Sequence, residues 1–200
     1  MSQREPDLDR ELPPELSERF STVGMVPAPT TLGEWVESTR NVLESADLPT
    51  GIAAMCTTDR DRHEATVDGE TRYFHCVLDT LLLPFVVDAD DPIDVRSRGP
   101  LSGDQIDIAV SREEVVVSPE TAVMSFGFAA ELDRPTGEPI DASVGYDAFC
   151  PYVNAFADRN EYERWAEGTE EAVTIGLTFD EGHALARALE GAPIVGSDSL

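Results

Sequence analysis

Any compact state of this chain has to form against its own charge. Forty Asp and Glu stand against fourteen basic residues, every one of them arginine, and the formal net charge is −26. Self-repulsion on that scale loosens a fold at low salt and is relieved in molar salt, where the Debye length shrinks to roughly 3 Å. The composition therefore reads as adaptation to a salt-rich cytosol. The same surface repels phosphate backbones and anionic headgroups, which removes nucleic acid and membrane surfaces from the expected partners. A core is still available, since 41% of the 200 residues are hydrophobic, enough for one domain or a domain with a small appendage. No apolar run approaches the roughly 18 residues that a bilayer demands. The acidic, proline-bearing start MSQREPDLDRELPPELSERF has no apolar stretch behind a basic patch, so no signal peptide is expected and the location predicted is cytoplasmic.

Periodicity divides the chain into a short helical lead and a longer α+β body. A helix is expected at Pro14–Phe20, and a second over 32–46, where Thr31 and Glu34 form a capping box and Leu32, Trp35, Val36 and Leu43 share a face. Gly51–Thr57 reads as a strand. Glu64–Val67 and Thr71–His75 read as a hairpin about Asp68-Gly69. The run CVLDTLLL at 76–83 changes to the pattern of a buried helix, stopped by Pro84. Strands follow at Ile93–Arg98, Gln105–Val110, Glu114–Ser118 and Thr121–Ala129, then a loop at Asp133–Asp141. Beyond the aromatic stretch Tyr146–Phe156, Asn160 is placed as the cap of a helix through Trp165 with Glu163 completing its box. A strand at Val173–Thr178 and a closing helix at Asp180–Leu189 end the pattern. The class predicted is α+β, a mixed sheet flanked by helices, with residues 1–50 as an acidic tail and helix and 51–200 as the main body.

Three cysteines, Cys56, Cys76 and Cys150, are too few and too scattered for a disulfide scaffold. In a cytosolic chain they are buried thiols, metal ligands or nucleophiles. The chain carries no CxxC, HExxH or GxSxG motif and no glycine-rich phosphate loop. On a helix, Cys76 and Asp79 lie three apart and share a face. The positive end of the helix dipole favours a thiolate at Cys76, and a nearby carboxyl group can accept the thiol proton. Spacing alone favours the plainer reading, with Cys76 as a small core residue and Asp79 as a carboxylate serving the dipole. Cys150, between Phe149 and Pro151, and Cys56 are each readable as core cysteines, Cys56 alternatively as a third thiol beside a site. His75 should point away from Cys76 by strand alternation, His63 and His183 read as surface residues, and Arg72, Arg96 and Arg98 as partners of surface acids.

The segment Tyr73-Phe74-His75-Cys76-Val77-Leu78-Asp79-Thr80-Leu81-Leu82-Leu83-Pro84 resembles the active-site segment of the organomercurial (alkylmercury) lyases. In that family an aromatic strand leads into a Cys-x-x-Asp-Thr-Leu helix. Val117-Ser118-Pro119 and Ala148-Phe149-Cys150 resemble two further family motifs, and the likeness runs over about 72–190. It implies cleavage of a carbon–mercury bond by protonolysis, with Cys76 and Cys150 as thiolate ligands of mercury and Asp79 as proton carrier. Phe74, Phe149 and Tyr152 are candidates for an apolar pocket that raises the Asp79 pKa. It further implies an organomercurial substrate, no organic cofactor, and cellular thiols or a mercuric reductase as acceptor of Hg(II). Residues 1–50 would be a reduced counterpart of the family's helical N-terminal domain. The competing readings are a non-catalytic binder of Hg(II) or Cu(I) through the same thiols, which has no use for Asp79, and a thiol redox sensor of the same fold.

Overall fold

The computed structural model describes residues 8–45, 51–87, 89, 91–131 and 142–190. The chain order is α1 (Pro14–Ser21), α2 (Leu32–Ser45), a 3-10 turn (Gly51–Ala54), β1 (Thr57–Thr58), β2 (His63–Val67), β3 (Glu70–Phe74), α3 (Val77–Val86) and β4 (Ile93–Arg98). It continues with β5 (Gln105–Val110), β6 (Val115–Ser118), β7 (Val123–Ala129), α4 (Ala142–Phe149), a 3-10 turn (Cys150–Tyr152), β8 (Ala155–Phe156), α5 (Arg159–Gly168), β9 (Ala172–Leu177) and α6 (Phe179–Ala188). The class is α+β. The described strands are shared between a six-stranded sheet, ordered β1-β3-β2-β4-β5-β6, and a three-stranded sheet, ordered β8-β7-β9. Within both, each pairing is antiparallel, so the sheet expected to be mixed is resolved into two antiparallel ones.

Local chemistry accounts for most element ends. Asp68 and Gly69 both take positive φ, 53° and 77°, the conformation of a tight two-residue hairpin turn joining β2 to β3. On α6, Thr178 and Glu181 form a reciprocal capping box. On α2 the box is half formed: Thr31 Oγ1 accepts from the Glu34 N–H, while the Glu34 carboxylate takes the backbone and hydroxyl donors of Thr30. The cap of α5 is Asp158, which accepts from the Glu161 N–H, and not Asn160. An aspartate two residues earlier offers a stronger acceptor, and it frees the Glu161 carboxylate to bind Ala157 N–H and the amide and hydroxyl of Ser102.

Two further expectations are corrected. Gly51–Thr57 is not a strand; it curls through a 3-10 turn and only Thr57–Thr58 pairs. Gly51 has φ +67°, outside the extended region, and the small residues after it favour a helical turn. Pro84 does not stop α3, which runs on to Val86. Proline there removes one ladder bond in the last turn, and burial of Leu81, Leu82, Leu83 and Phe85 outweighs that loss. The loop expected at Asp133–Asp141 lies outside the described residues.

The core gathers on β7, whose seven residues are all buried. Phe20 of α1 packs edge-on against Phe128 at 5.3 Å, and Trp35 of α2 against Phe126 at 4.9 Å. Trp35 also stacks on Phe149 at 5.7 Å, so the N-terminal helices brace the segment next to Cys150. Phe20 is 1% exposed. Phe20→Ala is expected to cost about 3–5 kcal/mol by loss of buried area and creation of a cavity, read as a lowered urea midpoint.

Candidate active site

Two pairings build the site. The β1/β3 register sets Thr57 opposite Phe74, and one step further the His75 N–H donates to the Cys56 carbonyl at 3.0 Å. Cys56 is thereby carried to the start of α3, whose N-cap is Cys76, in extended conformation. From the other side, the Val77 N–H donates to the Val153 carbonyl at 3.0 Å. The turn bearing Cys150 is pinned in turn to β7: Ser125 Oγ donates to the Tyr152 carbonyl and accepts from the Asn154 N–H, each at 2.8 Å. Asn154 Nδ2 closes the turn on the Pro151 carbonyl at 2.8 Å.

The result is a thiol cluster with a carboxyl group in its wall. Cys150 Sγ stands 2.9 Å from Cys56 Sγ, inside van der Waals contact and well beyond a disulfide's roughly 2.05 Å. Asp79 Oδ2 accepts the Cys56 N–H at 3.0 Å, and the ligand atoms of Cys56, Asp79 and Cys150 all lie within 4.8 Å of one another. Cys76, at the N-cap of α3, acts electrostatically on the Cys150 thiol. Cys76 and Cys150 are buried, at 1% and 4% exposure, whereas Cys56 is half-buried.

Burial governs the protons. It holds the Cys76 thiol above its usual range, against the opposing pull of the Cys150 hydrogen bond. The helix dipole expected to favour a thiolate there is outweighed. The Cys150 thiol is raised by its hydrogen bonds to Cys56 and then to Cys76, with burial adding to them. Asp79 is pushed up to about 6, because burial exceeds the stabilisation from the Cys56 amide. Burial, with the charges of Cys56, Asp79 and Cys150 adding to it, raises Tyr146 to about 12, so its hydroxyl is neutral. Of the candidate pocket residues, Phe74 is fully buried and Phe149 is the residue stacked on Trp35.

The structure thus brings Asp79 and Cys150 together, adds Cys56 to them, and sets Cys76 at the adjoining N-cap of α3. His75 stays at the surface, as alternation required, and pairs with Asp61 at 2.5 Å. Arg72 and Arg96 pair with surface acids. The surface reading of the other two histidines fails. His183 is 5% exposed and bonds the Ser111 carbonyl, and His63 is fully buried with Nδ1 2.9 Å from Ser97 Oγ. The signal for His63 was available, since His63, Ala65 and Val67 alternate on the inward face of β2.

Burial lowers the His63 pKa to about 4, with the Arg62 charge adding to the effect. The unfolded imidazole binds its proton near pH 6.5, so stability from this residue is complete above that value and is lost as pH falls toward 4. His63→Gln is expected to flatten that acid-side loss, measured as urea midpoints at pH 5 and 7.5. An unchanged slope would assign the loss to other groups.

Fold and site together define a buried thiol–carboxyl centre suited to a soft metal, carried on paired antiparallel sheets. Comparison with known proteins agrees with that class. The alkylmercury lyase (MerB) family model matches residues 56–191. The alkylmercury lyase of Bacillus cereus is 31% identical over 147 residues, covering 69% of this chain and 61% of the relative. That of Streptomyces lividans is 32% identical over 135 residues, covering 67% and 56%. A crystal structure of the mercury-bound form of MerB2 shares the fold, with a TM-score of 0.50 at 15% identity over 68% of this chain and 60% of that one. The chain belongs to the alkylmercury lyase family. It spans about three-fifths of the length of the curated relatives it matches. Among the described residues no helix is long and apolar enough to cross a membrane.

Proposed function

We propose that this protein is an organomercurial lyase that cleaves a carbon–mercury bond by protonolysis, releasing a hydrocarbon and Hg(II). The observation that carries the reading is the buried Cys150 thiol clustered with the Asp79 carboxyl, whose pKa is pushed up to about 6, beside the α3 N-cap that bears the buried Cys76. Mercury is soft and prefers sulfur, so Cys76 and Cys150 take the metal of the substrate. Two thiolates load electron density onto mercury and weaken its bond to carbon. Asp79 accepts a thiol proton as the metal binds and returns it to the departing carbon. The sum balances: an alkylmercury cation and two thiols give the hydrocarbon, a mercury dithiolate and one proton, with no change of oxidation state at mercury. No organic cofactor enters this scheme. A binder that only sequesters metal has no use for an acid in the wall, and Asp79 favours the lyase over it.

The acceptor of Hg(II) is a cellular thiol or a mercuric reductase, reached from the side of Cys56. The setting is a salt-rich cytoplasm, a reading supported by the charge of −26 and by three cysteines left unpaired. Residues 51–200 form the catalytic domain and residues 1–50 an acidic tail and helix ahead of it, a division supported by the start of the family match at residue 56. Methylmercury with excess thiol in high salt is expected to yield methane and Hg(II), measured by headspace gas analysis and mercury release. No methane above the protein-free control would refute the activity.

A further inference from the structure

Cys56 is the part of the cluster that the two-thiol scheme leaves unused. We propose that Cys56 is a third sulfur ligand, so that the Hg(II) product is held by Cys56, Cys76 and Cys150 together. The inference rests on the lyase reading and extends it to the state after the hydrocarbon has left.

Three observations carry it. The Cys150 sulfur shares one cluster with the Cys56 sulfur and the Asp79 carboxylate, all within 4.8 Å, and it is acted on electrostatically by Cys76. Its 2.9 Å approach to Cys56 is closer than a structural thiol needs, and a soft cation entering between them meets sulfur on either side. The Cys56 N–H is committed to Asp79, which fixes the residue carrying the third thiol to the residue that handles protons. Hg(II) held by Cys76 and Cys150 gains a bond to Cys56 Sγ as the Cys56 thiol gives its proton to the Asp79 carboxylate. One S–H bond breaks, one Hg–S and one O–H bond form, and no redox partner is involved. Because Cys56 is half-buried and the other two are enclosed, its mercury bond is the one that incoming thiols meet first.

The test uses Hg(II) alone with the full chain, under competition from a small dithiol. The ultraviolet charge-transfer band of a three-sulfur mercury site is displaced to longer wavelength from that of a two-sulfur site. The parent protein is expected to show the three-sulfur band at one mercury per chain. Cys56→Ser keeps the backbone N–H that holds Asp79; it should lose the band and bind Hg(II) at least about tenfold more weakly, roughly 1.4 kcal/mol. A two-sulfur band in the parent protein overturns the inference whatever the variant does, and leaves the lyase reading standing if Cys76→Ser then abolishes binding. Binding indifferent to Cys76→Ser and Cys150→Ser would instead overturn the lyase site itself, and the third ligand with it.

Discussion

Cys150→Ser is expected to abolish hydrocarbon release from methylmercury, by about 10³-fold or more, equivalent to roughly 4 kcal/mol of transition-state stabilisation. A serine hydroxyl is a hard oxygen donor that stays protonated at working pH, so it neither holds mercury nor loads electrons onto it. Cys76→Ser should have an effect of the same size. The losses should be chemical and not structural. The turn at 150–154 is held by Ser125, Asn154 and Val153 through groups other than the thiol, and serine occupies slightly less volume than cysteine. The measurement is methane evolved per enzyme, alongside far-ultraviolet circular dichroism of each variant. Parent-like release from either serine variant would remove that cysteine from the mechanism.

Asp79→Asn is expected to move activity and stability in opposite directions. Loss of a general acid typically costs 10²–10⁴-fold, and an amide has no proton to give to carbon. Stability follows from the raised pKa. The folded carboxyl binds its proton with a pKa of about 6, against a model value of 3.8. Between those values the folded state holds the proton more tightly, so the contribution of Asp79 to stability falls as pH rises through the window and reaches its least favourable value above pH 6. Asparagine carries no charge to desolvate and its side-chain oxygen can still accept the Cys56 N–H. The variant should therefore be more stable than the parent at pH 7.5, by up to about 3 kcal/mol, and no more stable near pH 3.5. Urea midpoints at both values decide it. An asparagine variant that binds mercury and still releases hydrocarbon at the parent rate would show that the proton comes from elsewhere.

Much of this architecture was readable from period and punctuation. The Asp68-Gly69 turn and the alternating strands β4 and β5 are local devices, each decided within a few residues. The motif around Cys76 is local too, and it brought Asp79 with it. Cys56 was legible only as an alternative to a core cysteine, because its place depends on a two-residue strand whose pairing with β3 leaves no hydrophobic pattern. The pinning of Cys150 was hidden for a related reason. It rests on Ser125, one polar residue inside the otherwise apolar β7, whose hydroxyl meets residues 27 and 29 positions away. Asn160 drew the helix cap from Asp158 because both fit the capping pattern, and only the bond to Glu161 N–H separates them.

The sulfurs come from distant stretches of chain, Cys56 and Cys150 being 94 positions apart. A denatured chain could chelate a cation through them only by first closing long loops. Tight capture is thus a property of the assembled tertiary structure, and thermodynamic linkage makes the cation a clamp on that structure in return. Exposure to mercury should therefore raise the melting temperature of this protein.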